Sequence, residues 1–141
     1  MSNNGFAPTS SKVAVNGKII EFDAYNIGQS NYFKLRDIAY ALNGTQKSFE
    51  IGWNSKKNAI SLTVGEAYTP IGGEMAAKDL DVINPMPTTA KILLDGEEFY
   101  LEAYIIGELN YIKLRDIGKA LGFRVDWDAV SETITIDTEA K

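Results

Sequence analysis

Residues 25–42 read YNIGQSNYFKLRDIAYAL, and residues 104–121 read YIIGELNYIKLRDIGKAL. The two stretches align without a gap at a displacement of 79 residues, and 12 of the 18 positions are identical. Such self-similarity constrains the fold more than any other feature, because a duplicated sequence builds its local structure twice. The match extends in both directions. Val15-Asn16-Gly17 corresponds to Leu94-Asp95-Gly96. Phe49, Ile51 and Trp53 correspond to Phe123, Val125 and Trp127 at a displacement of 74, so the first copy carries five extra residues after its helix.

The organisation read from this comparison is a flexible leader (1–11), a first repeat (12–64), a turn-rich connector (65–90), a second repeat (91–137) and a short tail (138–141). Each repeat is about fifty residues, little for an independent core. The two are therefore expected to pack on each other or to share a sheet. The connector holds Pro70, Gly72, Gly73, Pro85 and Pro87, with a short hairpin expected near residues 67–75.

Within a repeat the pattern changes period. Asn16-Gly17 and Asp95-Gly96 are type I′ turn signals between strand-like runs. Gly28 and Gly107 mark a second turn. Leu35, Ile38, Ala39 and Leu42, and again Leu114, Ile117, Gly118 and Leu121, fall at i, i+3, i+4 and i+7, one buried face of a short helix. Asp37 and Asp116 lie in the first turn, where a carboxylate complements the helix dipole. Asn43-Gly44 and Gly122 are read as left-handed exits. Phe49, Ile51 and Trp53, like Phe123, Val125 and Trp127, alternate with more polar residues, so both tryptophans are expected on the core face of a strand. The fold class is α+β: two pseudo-symmetric repeats, each a mostly antiparallel sheet with one short amphipathic helix.

Composition removes several chemistries. The chain has 141 residues, no Cys and no His. Disulfides, thiolate nucleophiles, Ser-His-Asp triads and His-liganded metals are excluded. The net charge of −5, with mixed signs along the chain, argues against nucleic acid as a partner. No run approaches the roughly 18 apolar residues of a membrane span.

The pattern NG, then Y-x-K-L-R-D-I-x-x-A-L, then V-x-W-D and T-I-x-I resembles the "copper amine oxidase N-terminal-like" or stalk domain of Gram-positive surface and secreted proteins. The resemblance covers roughly residues 12–137. Lys34 and Lys113 stand where much of that family has proline before L-R. It implies an extracellular or cell-envelope accessory module with no catalytic role, no cofactor and no metal.

The residues of the repeated motif are Tyr32, Leu35, Arg36, Asp37, Ile38, Leu42 and Trp53, then Tyr111, Leu114, Arg115, Asp116, Ile117, Leu121 and Trp127. Arg36 and Arg115 are candidates for an anion clamp or for structural ties from the helix start to a neighbouring strand. The tryptophans are sugar-stacking platforms if exposed. Tyr40, Tyr68 and Tyr100 are candidate exposed aromatics. Asp126 and Asp128 offer oxygen ligands to Ca²⁺ or cap a turn. The expected function is a non-enzymatic stalk or attachment module. Its possible partners are cell-wall glycan, a surface protein, or a second copy through free strand edges. A carbohydrate- or peptidoglycan-binding module is one alternative, and a small carboxylate-dependent hydrolase another.

Overall fold

A computed structural model describes residues 6–28, 30–72, 74, 86–106 and 109–138. Along the chain run β1 (Phe6–Val15), β2 (Lys18–Ile27), β3 (Ser30–Lys34), α1 (Leu35–Leu42), β4 (Phe49–Asn54) and β5 (Ala59–Val64). Then come β6 (Met86–Leu94), β7 (Glu97–Ile106), β8 (Leu109–Lys113), α2 (Leu114–Leu121), β9 (Arg124–Asp128) and β10 (Thr133–Asp137). Among the described residues the protein is mostly β-sheet with two short helices, an α+β fold.

The hairpin turns follow from residue type. Asn16 and Gly17 take φ of 51° and 90°, and Asp95 and Gly96 take 49° and 90°. Asn, Asp and Gly tolerate these left-handed angles. The strands on either side run longer than their hydrophobic alternation marks. β1 pairs with β2 from Phe6↔Ile27 to Val15↔Lys18. The polar stretch read as a leader therefore joins the sheet at Phe6, where the ladder satisfies its backbone groups whatever its side chains. In the same way β6 begins at Met86, inside the expected connector. Gly107 lies outside the described residues.

All ten strands form one sheet, in the order β4-β5-β6-β7-β8-β3-β2-β1-β10-β9. At its middle β3 and β8 pair antiparallel, with Phe33 opposite Ile112. Two joins are parallel. β5 meets β6 from Ile60↔Ile92 to Leu62↔Leu94, and β1 meets β10 from Val13↔Ile134 to Val15↔Ile136. The last hairpin of each half of the chain thus lies against the first strand of the other half. A parallel join cannot be closed by a tight turn. The connector makes the crossing from β5 to β6, and nearly the whole chain separates β1 from β10.

Both helices cover one face of this sheet. Leu35, Ile38, Ala39 and Leu42 of α1 and Leu114, Ile117 and Leu121 of α2 join Val13, Phe22, Phe33, Leu62, Ile92 and Ile112 in one apolar core. Strand neighbours point to opposite faces. Tyr32 and Tyr111 accordingly leave that core and bury on the other face with Tyr25, Ile27 and Ile106. There Tyr25 meets Tyr111 edge to face at 5.2 Å, and Tyr32 meets Tyr104 at 5.0 Å. Such pairs contribute about 0.5–1.5 kcal/mol beyond their buried area.

The helix exits differ between the halves. Gly122 takes the left-handed conformation directly after α2. After α1, Asn43 is extended and Gly44 carries the positive φ, followed by residues 45–48. The shorter exit brings β9 close to its helix. A Cβ on Gly118 would lie 3.0 Å from the Phe123 carbonyl oxygen and from a Val125 methyl. The longer exit leaves room for the Ala39 methyl at the matching position. The Gly–Ala difference and the five-residue length difference are thus one adjustment.

Between β5 and β6, no strand forms among the described residues of 67–75; Gly73 and Met75 lie outside them. Side chains organise this stretch instead of a hairpin ladder. Asn43 accepts a hydrogen bond from the Tyr68 N–H at 3.1 Å and donates to its carbonyl at 3.3 Å. Thr69 N–H donates to the Glu50 carboxylate at 3.1 Å. The connector therefore starts as a strap docked on α1 and β4.

Candidate functional site

The tryptophans are where sequence and structure part. Trp53 is 61 % exposed and Trp127 is 55 % exposed. The alternation does place them on the face of Phe49 and Phe123, but cover runs out along the strand. Phe49 is fully buried, Ile51 half-buried and Trp53 open. α1 is eight residues long, about 12 Å, and shields only the beginning of β4. β4 and β9 are also the two outer strands of the sheet. Periodicity assigns a face; it does not say how far the layer above it extends.

Each indole borders a groove. One groove, of about 260 Å³, is lined by Val125, Asp126 and Trp127 of β9, by Lys113, Leu114 and Arg115 at the start of α2, and by Ser30 and Asn31 of β3. The other, of about 290 Å³, is lined by Ile51, Gly52 and Trp53 of β4, by Lys34, Leu35 and Arg36 at the start of α1, and by Leu109 and Asn110 of β8. Every residue named in one groove matches one in the other at the displacements seen in the sequence. Each groove also draws on both halves of the chain. Its Trp and Arg come from one half, and its asparagine comes from the other.

The two arginines sit alike and bond differently. Arg115 donates to the Val125 carbonyl at 3.0 Å, tying α2 to β9. Arg36 instead donates to the Tyr68 hydroxyl at 3.2 Å and lies over its ring at 5.9 Å. Tyr68 belongs to the connector between β5 and β6. The Tyr68 ring is buried, contrary to its expected exposure, while Tyr40 and Tyr100 are exposed. An arginine offers five N–H donors, so either one keeps donors for a ligand.

Behind Tyr68 stands Glu74. Its carboxylate accepts from the Tyr68 hydroxyl and from the backbone N–H groups of Ile71 (2.7 Å) and Gly72 (2.9 Å). The Tyr68 bond, with help from these N–H groups, lowers the Glu74 carboxyl from its ordinary 4.5 to about 2. Burial, with the Glu74 bond second, pushes the Tyr68 phenol up. A carboxyl depressed on folding stabilises the strap above its unfolded value and loses that contribution as pH falls through the folded value. Acidification from pH 4.5 towards 2 is therefore expected to release the strap, and Glu74→Gln to remove that acid dependence. Carboxyl titration and amide exchange at Ile71 and Gly72 read it. A Glu74 carboxyl titrating near 4.5 in the folded protein refutes it.

The remaining candidates are accounted for by neighbours. Asp37 is buried at the start of α1, with the Lys34 ammonium 3.7 Å away. Lys113 lies 5.9 Å from the centre of the Tyr32 ring and 3.5 Å from Glu102. Burial raises the Tyr32 phenol against the opposing pull of Lys113. Asp126 pairs with Arg124 at 3.1 Å. Asp128 accepts from the N–H groups of Val130 and Ser131, and the Ser131 bonds lower its carboxyl. Asp128 thus caps the β9–β10 turn. Among the described residues no group of three or more Asp and Glu is placed to hold a metal ion, and no helix is long and apolar enough to cross a membrane.

Ser30, Asn31, Leu109 and Asn110 were not singled out from the sequence as lining residues. Only the repetition of Asn before Tyr in both copies signals the asparagines. Comparison of the chain with protein-family models, with curated proteins and with solved structures gave no match.

Proposed function

We propose that this chain is a non-catalytic attachment module of a secreted or envelope protein, and that its two grooves hold the sugar chain of a cell wall. The observation that carries the reading is the pair of exposed indoles on β4 and β9, each beside an asparagine and an arginine. Sugars present flat C–H faces and a rim of hydroxyls. An indole face matches the first, and amide and cationic donors match the second. The extracellular setting and the stalk role rest on the resemblance of the K-L-R-D-I motif.

The halves are further proposed to be pseudo-symmetric copies. The strand order supports this. Exchanging β1–β5 for β6–β10 turns the order of the sheet into its own reverse, and carries one groove onto the other. Two like grooves suit a ligand that repeats, since a polymer can occupy both and gain avidity without new contacts.

Trp53→Ala and Trp127→Ala are expected each to weaken binding to purified cell-wall material. Truncating a tryptophan anchor typically costs about 2 kcal/mol, roughly thirtyfold in affinity. The double variant is expected to stay in the supernatant in co-sedimentation while keeping its circular dichroism spectrum. Unchanged sedimentation of the folded double variant sinks the reading.

A further inference from the structure

We infer that the parallel seam between β1 and β10, locked by Asn16 and Thr138, is a mechanical clamp against force applied along the chain. β1 and β10 run in the same direction, in register from Val13↔Ile134 to Val15↔Ile136. The chain enters β1 at Phe6 and leaves β10 after Asp137. These points lie at opposite ends of the shared ladder. Tension on the two ends therefore drags the strands past each other along their axes. Every hydrogen bond of the seam is loaded at once, and none yields before its neighbours. Pulling both strands from the same end opens such a ladder one bond at a time. The β1–β2 ladder, antiparallel over the full length of β1, is loaded in the same sliding sense.

The seam carries a lock where the chain leaves it. Asn16 N–H donates to the Ile136 carbonyl at 2.9 Å. The Asn16 amide donates to the Thr138 hydroxyl at 2.9 Å and accepts from the Thr138 N–H at 3.0 Å. Thr138 is 1 % exposed, so water does not compete for these bonds. The other parallel seam, between β5 and β6, has the simpler form. Asp95 N–H donates to the Leu62 carbonyl at 3.0 Å, and the Asp95 carboxylate accepts from the Val64 N–H at 3.1 Å. Val64 has no hydroxyl to offer. The additional bond is thus present at the seam that takes load from outside and absent at the seam enclosed within the chain.

The clamp rests on the reading of the chain as a tether only in that load arrives through its ends. Its test contains no glycan, so failure of the clamp and failure of glycan binding are separate results. The chain has no native Cys, so introduced thiols give unambiguous handles. Single-molecule unfolding from Ser2→Cys with Lys141→Cys loads the seam in sliding. Lys18→Cys with Lys141→Cys loads it from one end, because Lys18 pairs with Val15 beside the exit of β10. The terminal pair is expected to unfold at severalfold higher force. Thr138→Val, which keeps the branched shape and removes the hydroxyl, is expected to lower the terminal force clearly. Forced unfolding reads the unfolding rate, so this effect is separable from equilibrium stability. Equal forces in the two directions, or an unchanged terminal force in the folded Thr138→Val protein, overturn the clamp.

Discussion

Residues 1–72 alone, cut free of the rest, are expected to form no folded monomer. In the intact sheet β5 sits between β4 and β6, so the fragment's last hairpin loses its lateral partner. β1 loses β10, and β3 loses β8. An isolated two-stranded hairpin is marginal in water, and three strands with one two-turn helix bury little. The complementary fragment, residues 74–141, suffers the same losses from the other side. Mixed in equal amounts, the fragments are expected to recover the native circular dichroism and the dispersed amide spectrum, because each supplies the strand positions the other lacks. A fragment of one half that is monomeric and well dispersed by itself overturns this. Its success as a dimer does not, since a second copy would then fill the vacant strand positions.

Phe33→Ala is expected to destabilise the whole protein by about 3–5 kcal/mol, the usual cost of truncating a buried phenylalanine. Phe33 is fully buried at the middle of the sheet, in register with Ala24 on one side and Ile112 on the other. Its ring meets Phe22 edge to face at 5.3 Å. Ala24, and Ala103 beside Ile112, are too small to collapse into the space it would leave. Against a typical stability of about 5–15 kcal/mol, the loss is a large fraction. For a chain of this size it corresponds to a fall of roughly 10–20 °C in Tm. Calorimetry reads both the fall and its cooperativity. A single shifted transition agrees with one core spanning both halves, whereas a shift confined to part of the unfolding enthalpy contradicts it.

Much of the local structure was legible because it rests on short-range chemistry. Asn16-Gly17 and Asp95-Gly96 announce their turns through the few residue types that accept positive φ. The Leu35–Leu42 and Leu114–Leu121 spacings announce their helices through the 3.6-residue period. Strand partners were not legible. Nothing in the residues of β5 or β10 says that each pairs across to the other half, since parallel register is set by packing among all the strands. The ends of β1 and β6 were hidden for a related reason. Phe6 to Lys12 and Met86 to Thr89 show no clean alternation, and it is the long partner strands β2 and β7 that hold them in the ladder. Of the candidate grooves, the sequence carried the tryptophans and arginines but put Trp53 and Trp127 in the core. Their exposure depends on where a two-turn helix stops covering a strand of five or six residues, a distance that only the assembled layers define. Tyr68 erred the other way: a turn-rich segment reads as exposed, yet Asn43, Arg36 and Glu74 draw its ring inward.

The pairing of β1 with β10 also sets an order in time. Val13 and Ile134 are neighbours in space and 121 residues apart in sequence. Closing a loop of that length costs more chain entropy than closing a hairpin, though the cost grows only slowly with length. During synthesis β1 emerges well before β10, the neighbour it pairs with. β6, the partner of β5, likewise follows only after the connector. No early portion of the chain can finish a stable sheet ahead of the rest. The sheet is therefore completed only once β10 is available to β1.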